Sequence, residues 1–277
     1  MCLILFSIEQ HARYPLIIAA NRDEHYDRPS ASLAFWPDAP QVAAGRDLQA
    51  GGTWLGITRQ GRWAALTNYR QAGSYRFGTP SRGHLVSNYL VGSLSPQRYV
   101  ERVSETAAQY NGFNLLVGEG TEVYYFSNHA DGWERVAPGA HGLSNHLLDT
   151  PWPKVTAGRE LLTDLPDLAA APLTNLLLEA LQERTVPNDA ELPDTGVGIQ
   201  RERVLAPPFI VSETYGTRAS TVIVMDADGN VSMIERSFGP HGVAAGRAEL
   251  TFRIEARPSR RTNRSTLSDL PIGGASD

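Results

Sequence analysis

Strand-like and helix-like signals come in blocks along this chain, in the order strands, helices, strands, helices, strands, with tight-turn residues joining strands to their sequence neighbours. Hairpin connections build antiparallel sheets, whereas a parallel sheet needs a long crossover between paired strands. The pattern predicts an α+β body of antiparallel sheets with helices packed on them, not a βαβ repeat. Two short apolar runs, Cys2 to Ile8 and Leu16 to Ala20, open the chain as a hairpin around a polar segment at 9–13. Further strands are expected at 41–44, 54–58, 63–67, 113–117, 123–127, 133–136 and 141–145, and helical periodicity falls at 83–91, 96–109, 154–165 and 173–184. Strands at 209–213, 220–226, 231–238 and 249–254 complete the list, the middle two joined by the turn Ala227-Asp228-Gly229-Asn230. Residues 186–198 read as a surface loop, and the Ser, Arg and Pro-rich stretch from 257 to 277 as a mobile C-terminal tail after a single domain over 1–256.

Composition removes several functions. A chain of 277 residues buries a core without staples. Its single cysteine, Cys2, excludes an intrachain disulfide and any multi-thiolate metal centre, so a reducing, cytoplasmic setting is expected. The seven histidines are scattered without ligand spacing, and no metal or other cofactor is expected. A net charge of -5 offers no basic footprint for nucleic acid. The N-terminal apolar run lacks the basic start and cleavage site of a signal peptide, and no window has the ~18 apolar residues of a membrane span. The only lysine is Lys154, which leaves almost no Schiff-base or P-loop candidate.

Cys2 follows Met1, and methionine is normally removed ahead of a small residue, which would leave one residue carrying both a thiol and a free α-amine. With reference values of ~8.5 and ~7.7–8.0, the amine can take the thiol proton near neutral pH, so nucleophile and base arrive together. The bland alternative is a small apolar residue starting a buried strand. The run Asn21-Arg22-Asp23-Glu24 follows the second apolar run and would sit beside Cys2 if the two strands pair. Alternation puts Asn21 and Asp23 on one face and Arg22 and Glu24 on the other, so one pair can point into a site. An ion-paired strand end is the alternative. In Gly142-Leu143-Ser144-Asn145 an amide closes a short strand, where it can donate to an oxyanion or cap a turn. Arg218, in Tyr215-Gly216-Thr217-Arg218-Ala219, stands at a strand start, where a surface salt bridge is the simple reading. The glycines of Gly51-Gly52-Thr53-Trp54-Leu55-Gly56 read as allowing close backbone approach in a loop lining the site, with Trp54 packing against a substrate or, the simpler reading, filling core.

Jointly these pieces, with Thr67-Asn68-Tyr69-Arg70 and Phe113-Asn114-Leu115, resemble the NRDE family of transport and Golgi organisation 2-like proteins, named for the Asn21–Glu24 run, over most of the chain to about Phe238. That family is similar to N-terminal nucleophile hydrolases of the choloylglycine hydrolase and penicillin V acylase group. The resemblance implies an αββα sandwich of two antiparallel sheets flanked by helices. It also implies an amidohydrolase acting on C–N bonds other than peptide bonds, with a small-molecule amide or thioester as substrate. By that resemblance Cys2 is the nucleophile and base, Arg22 and Asp23 orient and polarise the thiol and amine, Asn145 donates to the oxyanion, and Arg218 supports the charge. The acylases separate their Arg and Asp by two residues, whereas Arg22 and Asp23 are adjacent, so Asn21 or Glu24 are alternatives for those places. A rival implication is a non-catalytic haem or lipid and acyl-CoA carrier involved in trafficking, with Cys2 as a thiolate ligand of haem iron.

Overall fold

The computed structural model describes residues 2–255, so the expected tail lies outside the described residues, as does the last residue of the expected domain. In chain order the elements are β1 (Cys2–Ile8), β2 (Leu16–His25), β3 (Ser30–Trp36), β4 (Ala39–Asp47), β5 (Leu55–Thr58), β6 (Arg62–Asn68), α1 (Gly83–Val91) and α2 (Pro96–Thr106). They continue with β7 (Phe113–Glu119), β8 (Glu122–Ser127), β9 (Trp133–Arg135), β10 (Gly139–Leu143), α3 (Pro153–Thr163), α4 (Ala170–Ala180) and α5 (Ile199–Leu205). The last three are β11 (Tyr215–Met225), β12 (Asn230–Phe238) and β13 (Ala244–Arg253). Every strand pairing is antiparallel, in one sheet ordered β10-β1-β2-β11-β12-β13 and another ordered β3-β4-β5-β6-β7-β8-β9.

Period-two alternation sorts each central strand between two apolar layers. Ile4, Phe6, Ile18 and Ala20 point between the sheets, against Ile57, Trp63, Ala65 and Leu116. Leu3, Leu5, Ile17 and Ala19 point the other way, onto Val155 and Leu162 of α3 and Leu173 and Leu177 of α4. On the far side, Leu85, Val86 and Tyr89 of α1 and Val100 and Val103 of α2 cover the outer face of the seven-stranded sheet. Strands buried on both faces read as continuous apolar runs, which is why β1 and β2 were conspicuous in the sequence. The result is the four-layered αββα sandwich that the resemblance implied. No helix among the described residues is long and apolar enough to cross a membrane.

Several elements depart from the sequence reading. β2 does not stop at Ala20 but carries the Asn21–Glu24 run within it. β3 lies in the proline-punctuated stretch; as an edge strand with mostly exposed or half-buried residues it has little apolar signal. β10 ends at Leu143, leaving Ser144 and Asn145 beyond the strand. α5 has no counterpart among the expected elements, and 209–213 supplies a single bridge, Val211 to Gly216.

One buried carboxyl ties the sheets together. Glu235 of β12 accepts from the Leu33 backbone N–H of β3 at 2.7 Å and from the Thr221 hydroxyl at 3.2 Å. Burial pushes its pKa up, and those two hydrogen bonds pull against it.

Trp63 of β6 is fully buried, its indole N–H donating to the Gly120 carbonyl at 3.0 Å. Its cross-strand partner is Gly118, where a Cβ would come within 2.5 Å of the indole nitrogen. Alanine is a better strand residue than glycine, yet Gly118→Ala should destabilise the fold by about 1–3 kcal/mol, the usual cost of overpacking. A urea midpoint that rises instead would show that the ring moves aside freely.

Candidate active site

Cys2 opens β1 directly opposite Arg22 of β2. Residues directly opposite in an antiparallel pair share a face, so the thiol and the guanidinium both belong to the side between the sheets. Asn21 and Asp23 fall on the other side, toward the helices. The other edge of β2 pairs with β11, where Thr217 faces Asp23 and Ala219 faces Arg22, leaving Arg218 as the extra residue of a bulge.

On the inter-sheet side, at the end of the sandwich, lies a cleft of about 300 Å³ lined by Cys2, Arg22, Trp54, Asn68, Arg82 and Tyr75 among others. Burial pushes the Cys2 thiol up, and the negative charge of Asp23 adds to this. The Arg22 charge and a hydrogen bond from the Asp23 backbone favour the thiolate instead. The Arg22 guanidinium stacks 4.4 Å from the Trp54 ring, with Nη2 3.9 Å from Glu24 Oε2 and Nη1 buried without a hydrogen-bond partner. Trp54 is thus a wall of the cleft as well as core, being half-buried and packed against the inter-sheet cluster. The glycine loop does what was expected of it: a Cβ on Gly52 would lie 2.5 Å from the Gly83 carbonyl carbon, so only glycine lets this loop meet the start of α1.

On the helix side the polar groups are bound into the fold. Asn21 donates to the carbonyls of Leu181 and Pro208 at 2.8 and 2.9 Å and accepts from Ser220 at 2.6 Å. Asp23 accepts from Thr217 at 2.7 Å. Burial pushes its pKa up, while the positive charge of Lys154 and the Thr217 hydroxyl pull it down. Lys154 is itself buried, donating to the Leu205 carbonyl at 2.9 Å, and desolvation lowers its pKa to about 8 against the pull of Asp23.

Two expected site residues have other work. Asn145 comes opposite Cys2 if the β1–β10 register is continued past Ile4 and Leu143, and it is fully buried. Its Nδ2 donates to the Asn68 carbonyl at 2.9 Å, and its backbone carbonyl accepts from Arg70 at 2.7 Å. It therefore steadies the end of β6 and does not itself line the cleft. Arg218 does not line the cleft, and its Nη1 donates to the carbonyls of His25, Tyr26 and Arg28 at 2.9, 2.8 and 3.1 Å. It latches the turn after β2, where the sequence suggested charge support for the reaction. Asn68, Arg82 and Lys154 stand outside the set of site residues expected from the sequence. For Asn68 a signal existed, since it lies in one of the motifs that carried the family resemblance.

Residues 1–240 match the family Transport and Golgi organisation 2. The chain belongs to this family. The family's homologue from Mus musculus is 36% identical over 257 residues, covering 86% of this chain and 93% of its own. The Drosophila melanogaster protein is 28% identical over 273 residues, covering 87% and 95%. Among solved structures, a Caenorhabditis elegans N-acylethanolamine-hydrolyzing acid amidase orthologue superposes with a TM-score of 0.46 at 12% identity, covering 80% of this chain and 92% of its own. The C2A mutant of a conjugated bile acid hydrolase from Clostridium perfringens gives 0.43 at 10%, covering 92% of each.

For this member of the Transport and Golgi organisation 2 family, the geometry sets two expectations. Arg218→Met should cost about 2 kcal/mol by removing the charged donor shared by three carbonyls, of which that of His25 keeps the Arg28 backbone N–H, and should speed hydrogen exchange at the Tyr26 and Arg28 amides. Unchanged exchange there would refute the latch. Lys154 has a folded pKa below its unfolded value, so the unfolded chain holds the extra proton between about pH 8 and 10.5. Stability must rise with pH across that window. Relative to Lys154→Met, the native protein should gain roughly 2 kcal/mol from pH 8 to 10 in urea unfolding. Parallel pH profiles would mean that Lys154 keeps its ordinary pKa.

Proposed function

We propose that this protein is an N-terminal-cysteine hydrolase that cleaves a linear amide or thioester through an acyl-Cys2 intermediate. The observation that carries the proposal is the position of the chain's only thiol, at the end of β1 on the floor of a cleft and opposite the Arg22 guanidinium. Once Met1 is removed, the α-amine of Cys2 takes the thiol proton and the sulfur attacks the substrate carbonyl carbon. The carbon–nitrogen or carbon–sulfur bond then breaks, and the leaving group takes the proton from the α-ammonium. Water, deprotonated by the same amine, attacks the thioester; the carboxylic acid departs and the thiol regains its proton.

Arg22 favours the thiolate by its charge, and the Asp23 backbone favours it through a hydrogen bond. The oxyanion donor in this reading is the Asn68 carboxamide, which lines the cleft, while Asn145 acts as a positioning residue through its bond to the Asn68 carbonyl.

The first test is the intact mass of the purified protein. A chain beginning at Cys2 with a free thiol is expected, and retained Met1 would remove the base from the mechanism. Acyl release from a panel of amides and thioesters should be abolished by Cys2→Ala. Asn68→Ala should lower kcat about 10²–10³-fold with little change in KM. A fully active Cys2→Ala protein sinks the hydrolase, and a Soret band that shifts on haem addition and is lost in that variant would install the carrier in its place.

A further inference from the structure

The cleft in front of Cys2 is lined by three guanidinium groups and three carboxylates, those of Asp23, Glu24 and Asp47, yet the carboxylates leave two of the cations incompletely paired. Its guanidinium groups are those of Arg22, Arg28 and Arg82. Arg28 is engaged, with Nη2 2.7 Å from Asp47 and Nε 3.8 Å from Glu24. Glu24 also approaches Arg22, at 3.9 Å from Nη2. Asp23 also borders the cleft, and its carboxylate accepts from Thr217. The Arg22 side chain is only 6% exposed, and its Nη1 is left without an acceptor. A buried charged donor in that state is costly, which is the mark of a group waiting for a ligand.

Arg82 adds a second cation. Its Nη1 donates to the Gly112 carbonyl at 2.9 Å, and no ion pair engages it among the described residues. The nine-residue helix α1 begins directly after it, with no acidic residue in its first turn and no side-chain cap. Ser81, Arg82 and Gly83 line the cleft, so the positive end of the helix dipole opens onto the same space as the unpaired Arg22 nitrogen. Two guanidinium groups and a helix amino terminus around one cleft favour a planar or tetrahedral oxyanion.

We infer that this side of the cleft binds an anionic group, a carboxylate or a phosphate, carried by the substrate whose carbonyl is presented to Cys2; the inference rests on the reading of Cys2 as nucleophile. Arg22 and Arg82 hold the anion, and Trp54 supports Arg22 from beneath. The substrate class is then an acyl compound with a negatively charged end, not a neutral amide.

The test needs no turnover. Because Cys2 is the chain's only thiol, intact mass follows alkylation at a single sulfur. Iodoacetate and iodoacetamide present the same reactive carbon with and without a carboxylate. At low salt, the iodoacetate-to-iodoacetamide rate ratio for the protein should exceed that of cysteine methyl ester at least tenfold. It should fall toward the free-thiol value in Arg82→Gln and in Arg22→Gln, and in the native protein at high salt. A ratio equal to that of the free thiol overturns the inference, as does a raised ratio that neither the variants nor salt lowers, or a thiol that reacts with neither reagent.

At matched ionic strength, stronger protection by inorganic phosphate assigns a phosphate, and stronger protection by acetate assigns a carboxylate. Protection by neither counts against the site. If no amide or thioester is hydrolysed but the ratio behaves as expected, the hydrolase reading fails and the anion site stands; if hydrolysis occurs with an ordinary ratio, the reverse holds.

Discussion

The register in which β1 meets β2 decides which residues can act together. Cys2 pairs with Arg22, and because side chains alternate with a period of two, a slip of one residue would turn Asn21 or Asp23 to the inter-sheet side and bury Arg22 among the helices. The slip is prevented on both sides at once. Ile4, Phe6 and Ala20 are fitted to the inter-sheet core, Leu3, Leu5 and Ala19 to the helices, and Asn21 is bonded to three separate partners. The bulge at Arg218 interrupts the register on the other edge of β2, between the pairs that Asp23 and Arg22 make with β11, and leaves the β1–β2 register continuous.

The two faces of β2 are used differently. On the helix side, polar groups meet partners: Asn21 with backbone carbonyls, Asp23 with Thr217, and Arg70 with Glu202 at 2.7 Å. Those contacts are what buried polar groups require, and they fix the sheet to α4, α5 and the segment between them. On the inter-sheet side the same strand presents Arg22, incompletely paired, beside a thiol. A four-residue polar run inside a strand thus serves stability with its odd members and the cleft with Arg22.

Much of this was legible in the sequence. The boundaries of α1 came through unchanged because apolar periodicity marks them at both ends, and Ser95 followed by Pro96 announced the start of α2, where the Ser95 hydroxyl accepts from the Arg98 backbone. Alternation correctly divided Asn21 and Asp23 from Arg22 and Glu24, but it could not say which pair met the cleft, since both faces of β2 are buried. β3 escaped because an edge strand needs no apolar face, and α5 because seven residues are too few for a clear period. The roles of Asn145 and Arg218 depend on where a long side chain points once its backbone is placed. Both stand near the expected place and reach for backbone carbonyls elsewhere.

Lys154, the only lysine in the sequence, is folded against the helix side of the sheet. Apart from the α-amine, the fixed positive charge on the surface is therefore arginine, which amine-directed chemistry does not touch. Cross-linkers, acylating agents and enzymes that attach tags to lysine find no ε-amine to attack on the native fold. Exposing the one that exists requires its contact with the Leu205 carbonyl of α5 to open, so lysine modification of this protein would count opening events instead of mapping its surface.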